Sequence, residues 1–546
     1  MSTLFVRARL TTFLSLFAFA FLMGASIHAK SPTAEDIQNL ANKVDQLIEA
    51  QLAKSKVKAA PLADDAEFLR RIYLDLAGRI PTVAEARRFL QSKKKDKRAL
   101  LVDELLSRSG YVTHFTHVWR DLLIPEANNS FIVKLQQNGF EAWLKDRVKT
   151  NASLAELARD LITARMTTTG PASIATSFTG QASPVAFFSA KEFRPENLAA
   201  ATARVFLGLN VECAQCHNHP FANWKREQFW ELAAFYSGMR SQTLMDFIVP
   251  SKEKPEQREL TIPGTSKTVQ AVFLDGSKPK WKPKDRTRDA LAEWVTAKSN
   301  PYFAKATVNR LWAYFHGTGL YEPIDDMVGD GTTLTHPKTL SLLAEAFTKQ
   351  DFDPKFLIRV ITSTRAYQRT SSTTAKGQDD QTLFAKAHLR GLTAEQLFDS
   401  VATATGYRDS GGGNDLISGI LGGPRSARAE FLTRFGSTDR PVESQTSILQ
   451  ALSLMNGRVT ASATSLEKSE TLAAILEAPF ASTKTRIETL YLATFSRMPT
   501  TKEVAMAEKF IQKRVAKSKG KKNAAALALA DVFWALLNSS EFVLNH

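Results

Sequence analysis

Most of the chain places apolar residues at the spacing of an α-helix. Leu198, Val205, Phe206 and Leu209 recur at i, i+7, i+8 and i+11, which is one face of a helix. Pro195 precedes them at the position where a first helical residue is expected. The pattern therefore predicts a helix that begins at Pro195 and continues to Leu209.

A second helical face follows a short distance along the chain. It is formed by Phe229, Leu232, Ala233 and Tyr236, and Gly238 suits the C-terminal cap. The segment between the two predicted helices carries both cysteines of the chain. We therefore expect that segment to be held by a helix on each side.

The helical pattern is interrupted between residues 240 and 285, where prolines accumulate and short apolar runs alternate with polar residues. Such a composition is typical of a small β insertion or a linker. Helical patterns then resume, apart from a glycine-rich loop at 407–430. The predicted fold class is mainly α, with two helical domains at 30–245 and 286–546 joined by a linker or small β-containing insertion at 246–285.

A repeated element lies near both ends of the chain. The segments "YLDLAGRIPTVAE" and "YLATFSRMPTTKE" share six residues without a gap. The shared pairs are Tyr73/Tyr491, Leu74/Leu492, Arg79/Arg497, Pro81/Pro499, Thr82/Thr500 and Glu85/Glu503. In both segments the Thr-x-x-Glu that follows the proline has the spacing of a capping box. We expect the same capped helix–turn–helix in both places.

The first 29 residues have the pattern of a secretory signal peptide. Arg7 and Arg9 precede an apolar core at 13–23, and small residues up to Ala29 offer cleavage sites. No later segment reaches the ~20 apolar residues that a transmembrane helix needs. We therefore expect an exported protein that is periplasmic or associated with the cell envelope.

The net charge of the chain is strongly positive. It is formally +16, and much of the excess lies in lysine-rich runs at 93–98, 278–286 and 513–522. These runs lack the interleaved aromatic residues that accompany many nucleic-acid sites. We expect solvated loops and helix faces there, with no nucleic-acid partner and with an anionic envelope polymer as a candidate partner.

The sequence Cys213-Ala-Gln-Cys216-His217 has the spacing of a c-type haem site. Such a haem needs two thiols that form thioethers with its vinyl groups and an adjacent imidazole that binds the iron. An exported protein also reaches the compartment in which this attachment takes place. The candidates for the ligand on the other side of the iron are Met239, His117 and His114.

Two alternatives to haem remain open for the same residues. His219 follows two residues after His217, and two thiolates with one or two imidazoles also suit zinc or another transition metal. The other alternative is a disulfide between Cys213 and Cys216, which an oxidising compartment permits.

A second group of polar residues occurs in "VNRLW", "EPIDDM" and "THP". Its members are Asn309, Arg310, Glu322, Asp325, Asp326 and His336. A functional interpretation uses Asp325 and Asp326 as paired carboxylates for acid–base chemistry or cation binding. A structural interpretation, which we favour, pairs Arg310 with these carboxylates to fix the packing of helices.

Several long segments resemble two families that occur together. "FLRRIYLDLAGRIPT", "HVWRDLL" and "ENLAAATARVFLGLNVECAQCHNHPF" resemble the planctomycete cytochrome-associated family called domain of unknown function 1549. "NPYFAKATVNRLWAYFHGTGLYEPIDDM" and "LTAEQLFDSVATATG" resemble its usual companion, domain of unknown function 1553. The resemblance implies secretion, a mainly helical fold and a link to c-type cytochromes, so a separate cytochrome or redox protein is the implied partner. It implies no particular reaction.

Together these observations favour a redox or electron-transfer protein with haem at Cys213, Cys216 and His217. One alternative is an envelope enzyme with a bare metal at the Cys/His cluster and the "EPIDDM" carboxylates near its cleft. The other is a non-catalytic envelope scaffold whose cysteine motif is structural. The sequence identifies neither a substrate nor a reaction, and whether the protein is an enzyme stays open.

Overall fold

α-Helices make up most of the part of the chain that the structure describes, which confirms the predicted mainly α class. The computed structural model describes residues 32–165, 181–219, 224–239, 253–327, 333–408, 426–435, 462–518 and 523–546. The predicted signal peptide and most of the glycine-rich loop lie outside these ranges. The chain from Pro32 to His546 forms one compact unit.

The helices follow one another with short connections. Up to the cysteine segment they are α1 (Ala34–Lys54), α2 (Asp65–Ala77), α3 (Val83–Gln91), α4 (Lys97–Ser107), α5 (Ser109–Leu123), α6 (Phe131–Lys149), α7 (Leu154–Thr163), α8 (Val185–Ala190) and α9 (Pro195–Thr202). After it come α10 (Arg226–Ala233), α11 (Thr287–Val295), α12 (Phe303–His316), α13 (Pro337–Lys349), α14 (Pro354–Ser363), α15 (Arg365–Gln368) and α16 (Ala394–Thr405). The C-terminal part holds α17 (Ala427–Phe435), α18 (Glu470–Glu477), α19 (Thr483–Phe495), α20 (Thr501–Lys517), α21 (Ala524–Leu537) and α22 (Ser540–Val543).

The strands are short and form two-stranded antiparallel pairs. They are β1 (Glu259–Thr261) with β2 (Thr268–Gln270), β3 (Tyr321–Glu322) with β4 (Thr333–Leu334), and β5 (Arg390–Gly391) with β6 (Leu544–Asn545). The first pair is a hairpin with Leu260 opposite Val269, and it lies inside the predicted β-containing insertion. The third pair joins the C-terminal residues to the segment before α16.

Two hydrophobic clusters stabilise the fold. The main cluster extends from Val44 to Ala385 and includes buried side chains from both sides of the predicted insertion, such as Trp230 and Trp312. The second cluster is built mainly from residues of α16 to α22. The predicted domain boundaries at 245 and 286 stay a prediction.

The two predicted capped repeats have the same local structure. α2 ends at Gly78 and α19 at Ser496, both in the left-handed backbone region, with φ of 66° and 60°. The following helices, α3 and α20, both begin with a complete Thr-x-x-Glu capping box. The helix–turn–helix predicted from the sequence is therefore present at both ends.

Equivalent residues of the two repeats pack into opposite clusters. Leu74 belongs to the second cluster, whereas its counterpart Leu492 belongs to the main cluster. Arg70 supports this contact, since its guanidinium donates to the carbonyl of Thr494 at 2.9 Å. The two repeats therefore pack against each other and connect the N-terminal and C-terminal parts of the unit.

The helices were also compared with the dimensions of a bilayer. Within the described ranges, none of them combines the length and the apolar character needed to cross a membrane.

Candidate functional site

The approach to the cysteines begins with a change in helix type. After α9 the chain forms one π-helical turn, Ala203–Leu207, which ends at Gly208 with φ of 64°. A Cβ at Gly208 would lie 2.9 Å from the sulfur of Met327 and 3.1 Å from the Cβ of Ala306. Only glycine combines this left-handed backbone with so close a contact. The chain can therefore turn sharply out of the helix before the cysteines.

The cysteines lie on a short, anchored turn. Residues Glu212–Gln215 form a 3-10 turn. Val211 and Ala214 are buried beneath it, with exposed fractions of 1% and 0%. Cys213 and Cys216 are exposed and unlinked, so the structure shows two free thiols at this turn rather than the disulfide alternative. The two small apolar residues thus hold the backbone while both sulfurs face solvent.

The carbonyl between the cysteines is bound by the next helix. The indole N–H of Trp230 donates to the carbonyl of Gln215 at 3.0 Å, and the guanidinium of Arg226 donates to the same oxygen at 3.3 Å. The backbone N–H of Arg226 donates to the side-chain oxygen of Asn218 at 2.9 Å. The start of α10 therefore fixes the turn from the side. We call residues 211–219 the cysteine loop.

The two histidines of the cysteine loop differ in exposure. His217 is exposed, and its Nδ1 lies 2.7 Å from the carbonyl oxygen of Asn218. A carbonyl only accepts, so Nδ1 carries the proton and Nε2 keeps its lone pair, the arrangement common to metal-binding histidines. His219 is buried, and its backbone N–H donates to the carbonyl of Trp224 at 2.8 Å.

The Arg310 group lies beside the cysteine loop. Arg310 forms an ion pair with Asp325 at 2.7 Å. Its guanidinium also donates to the carbonyls of Arg204 and Val205, at 3.2 and 3.4 Å, in the π turn. Arg204 in turn approaches the carboxylate of Glu212 at 3.5 Å. The structure therefore brings two predicted sites together through the turn that leads into the cysteines.

The remaining members of that group stabilise the neighbouring backbone. The amide of buried Asn309 both accepts from and donates to the backbone of Tyr321, at 2.9 and 2.8 Å. Glu322 accepts from the N–H of Gly319 at 2.5 Å. Asp326 is partly exposed, and its backbone N–H donates to the carbonyl of Pro323 at 3.1 Å. These contacts fit the structural interpretation for Asn309, Arg310 and Asp325.

His336 has different neighbours. Its Nε2 lies 2.9 Å from the carbonyl oxygen of Thr382, and its ring centre is 5.1 Å from that of Phe384. Burial lowers the pKa of His336, although the hydrogen bond to Thr382 acts in the opposite direction. The described contacts of His336 are thus packing contacts at the start of α13.

The predicted distal iron ligands lie on two different elements. His114 is buried on α5, with Nε2 2.7 Å from the hydroxyl of Tyr314, and burial lowers its pKa to about 3. His117, on the same helix, has its pKa lowered by burial and then by the charge of Arg120. Met239 is buried at the end of the 3-10 segment Ala234–Met239, directly after α10. Which of the three binds iron stays a prediction.

A polar pocket elsewhere escaped the sequence analysis. It encloses about 280 Å³ and is lined by Arg71, Arg390, His316 and His388 among others. The Nε2 atoms of both histidines are buried without a hydrogen-bond partner in the described structure. Each guanidinium already binds protein oxygen atoms, for example Arg390 with Asp75 at 2.8 Å. These residues come from distant segments, so no spacing in the sequence connects them.

Metal-binding geometry was sought across the described ranges. No group of three or more His, Cys, Asp or Glu side chains is arranged there to hold a metal ion. The segment 220–223, which follows His219, lies outside those ranges. The bare-metal alternative for the cysteine loop therefore stays a prediction.

The structure thus defines a helical protein with an exposed Cys-x-x-Cys-His loop next to a buried ion pair. Residues 43–241 match the family model PSCyt2, described as a protein of unknown function (DUF1549), and residues 287–418 match PSD1, a protein of unknown function (DUF1553). The chain is therefore a member of the DUF1549 family that also carries a DUF1553 region, in the order predicted. No curated protein and no solved structure matches the chain.

Proposed function

We propose that this protein is exported and carries a c-type haem, attached through Cys213 and Cys216 and bound at iron by His217. The observation that carries the proposal is the cysteine turn, where two free, exposed thiols flank a carbonyl held by two donors. When bound, such a haem supplies one-electron redox chemistry.

The chain's own residues fit the requirements of attachment. Both thiols are accessible, as thioether formation requires, and the backbone between them is anchored by Val211 and Ala214. The hydrogen bond between His217 and the carbonyl of Asn218 directs the lone pair to Nε2, the nitrogen that binds haem iron. The loop therefore offers both kinds of bond in one short segment.

The surroundings of the loop support a partner protein. Val205, Phe206, Phe229 and Phe235, which were candidates for apolar walls, have exposed fractions of 1–6% within the main hydrophobic cluster. They support the loop from below and do not line an open slot. A haem attached here would present much of its surface outward, where electrons could pass to a separate redox protein. We include such a partner in the proposal.

A bare metal site is the second candidate function. Its support is chemical, since Cys213, Cys216 and His217 provide three donors within five residues. His219 distinguishes the two candidates, because a c-type haem does not require it. A four-ligand metal site needs the buried imidazole of His219 to turn toward the exposed thiols.

One set of variants separates these functions. The full chain is produced in a host whose c-type maturation system attaches haem to a control cytochrome, then assayed for haem after denaturation and for bound metal. We expect haem that survives denaturation, its loss in the Cys213→Ser/Cys216→Ser double variant, and its retention in His219→Gln.

Other results would contradict the haem proposal. A colourless protein that holds zinc, and loses it in His219→Gln, would establish the bare-metal alternative. A protein with neither haem nor metal would leave a scaffold whose cysteine loop is structural.

A further inference from the structure

The outer face of α20 has an unusual combination of side chains. Only Ile511 in this helix is fully buried, and Ala507 packs beside it against the second cluster. The opposite face follows the helical spacing i, i+4, i+7, i+11 and i+15. It carries Lys502, Met506, Lys509, Phe510, Lys513 and Lys517, and we call this set the lysine face.

The apolar members of the lysine face are large and open to solvent. Met506 is 63% exposed and Phe510 is 44% exposed. They lie four residues apart, so their side chains are neighbours on the helix surface. Two adjacent large apolar side chains at this exposure mark a surface suited to an apolar environment.

The charges around them have one sign. None of the four lysines forms an ion pair with a residue in the described structure, although other charged groups of α20 do. Glu503 pairs with Arg497 at 2.8 Å, and Arg514 pairs with Asp531 at 3.0 Å. The lysine face is therefore a patch of uncompensated positive charge whose complement is an anionic surface.

We propose that the lysine face binds the surface of a bilayer that contains anionic lipids. Met506 and Phe510 would enter the boundary between headgroups and acyl chains, while the lysine stems extend along them and keep their ammonium groups among the phosphates. An anionic polymer attracts the lysines equally well but offers no apolar interior to the other two side chains. The exposed apolar pair therefore favours a lipid surface.

The test measures co-sedimentation of the full chain with vesicles. Vesicles of phosphatidylcholine alone are compared with an equimolar mixture of phosphatidylcholine and phosphatidylglycerol. We expect binding to the anionic vesicles that weakens as salt rises, because the attraction is electrostatic. Replacing Lys502, Lys509 and Lys513 by Gln is expected to lower the partition coefficient about fivefold for each lysine.

Two variants serve as comparisons. Lys93→Gln/Lys94→Gln/Lys95→Gln removes the same charge from another exposed segment and should leave binding nearly unchanged. Met506→Ser/Phe510→Ser keeps every charge and should weaken binding to vesicles but not to soluble polyphosphate. Circular dichroism confirms that each variant is folded.

Three outcomes would overturn the proposal. The first is equal binding to neutral and anionic vesicles. The second is an equal loss in the two lysine triple variants, which would indicate attraction by net charge alone. The third is binding to vesicles that Met506→Ser/Phe510→Ser leaves intact, which would assign the lysine face to anionic polymers.

Discussion

Trp230 donates its indole N–H to the carbonyl of Gln215, the residue between the two cysteines. The contact is 3.0 Å long and joins α10 to the cysteine turn. It holds the backbone at the position where the spacing of the two sulfurs is determined. Any function of the cysteine loop that needs this spacing therefore depends on a side chain outside the motif.

Trp230→Phe removes this donor and keeps an aromatic ring in the core. We expect the free energy of unfolding to fall by about 1 kcal/mol, because Arg226 still binds the carbonyl of Gln215. Chemical denaturation measures the change. Phe229→Leu is the control, since it alters the neighbouring core residue without touching the loop. A smaller yield of attached haem in Trp230→Phe than in Phe229→Leu would show that the hydrogen bond orders the thiols.

The ion pair of Arg310 distinguishes two neighbouring carboxylates. Asp325→Asn leaves the partly buried guanidinium without its counter-charge, so we expect a loss of about 1–3 kcal/mol in the free energy of unfolding. Asp326→Asn is the matched control and should leave the stability nearly unchanged. Equal stability of both variants in chemical denaturation would contradict the structural role of Asp325.

The N-terminal repeat predicts a dependence of stability on acid. Burial raises the pKa of Glu85, but hydrogen bonds and charge from Arg79 and Arg108 outweigh it and hold the pKa at about 2, below the ordinary 4.5. A depressed carboxyl pKa stabilises the fold above pH 4.5, and this stabilisation is lost as the pH falls toward 2. Glu85→Gln should therefore show a smaller decline of stability over that interval.

The control for the acid dependence is Glu467→Gln, which removes an exposed carboxylate. Its stability should decline with pH as that of the unmodified protein does. Identical pH profiles for Glu85→Gln and the unmodified protein would show that the ion pairs of Glu85 contribute nothing.

The two repeats also predict different tolerance at equivalent positions. A Cβ at Gly78 would lie 2.5 Å from Nδ1 of buried His114, and the backbone there is left-handed. Gly78→Ala should therefore cost at least about 1–2 kcal/mol of unfolding free energy. Ser496→Ala, at the matching position, changes no backbone requirement and should be nearly neutral. The reverse order of the two losses in chemical denaturation would refute this assignment.

Local features of the fold could be predicted from the sequence. Helical periodicity located α9 and α10, and the Thr-x-x-Glu pattern predicted the caps of α3 and α20, because these features depend on residues a few positions apart. The repeats also differ in a way that short spacings do not reveal. Glu85 binds two arginines, Arg79 and Arg108, whereas in the other repeat one arginine binds two carboxylates, as the next paragraph describes.

Arg497 pairs with Glu503 at 2.8 Å and with Glu541 at 2.6 Å. Its third partner comes from α22, distant in sequence, so only the tertiary structure shows it. The same reason explains why Arg310 pairs with Asp325 and not with Asp326, and why the histidines of the polar pocket were missed. Contacts between distant segments depend on packing, which the spacing along the chain does not contain.

The mass of the peptide that contains Cys213 and Cys216 tests the haem proposal most directly. The full chain is matured beside a control cytochrome, treated with iodoacetamide under denaturing conditions and digested. We expect a peptide that carries one haem through both sulfurs and no alkyl group, because thioethers survive unfolding. A peptide with two alkylated cysteines and no haem, from a host in which the control cytochrome is fully matured, would contradict the proposal.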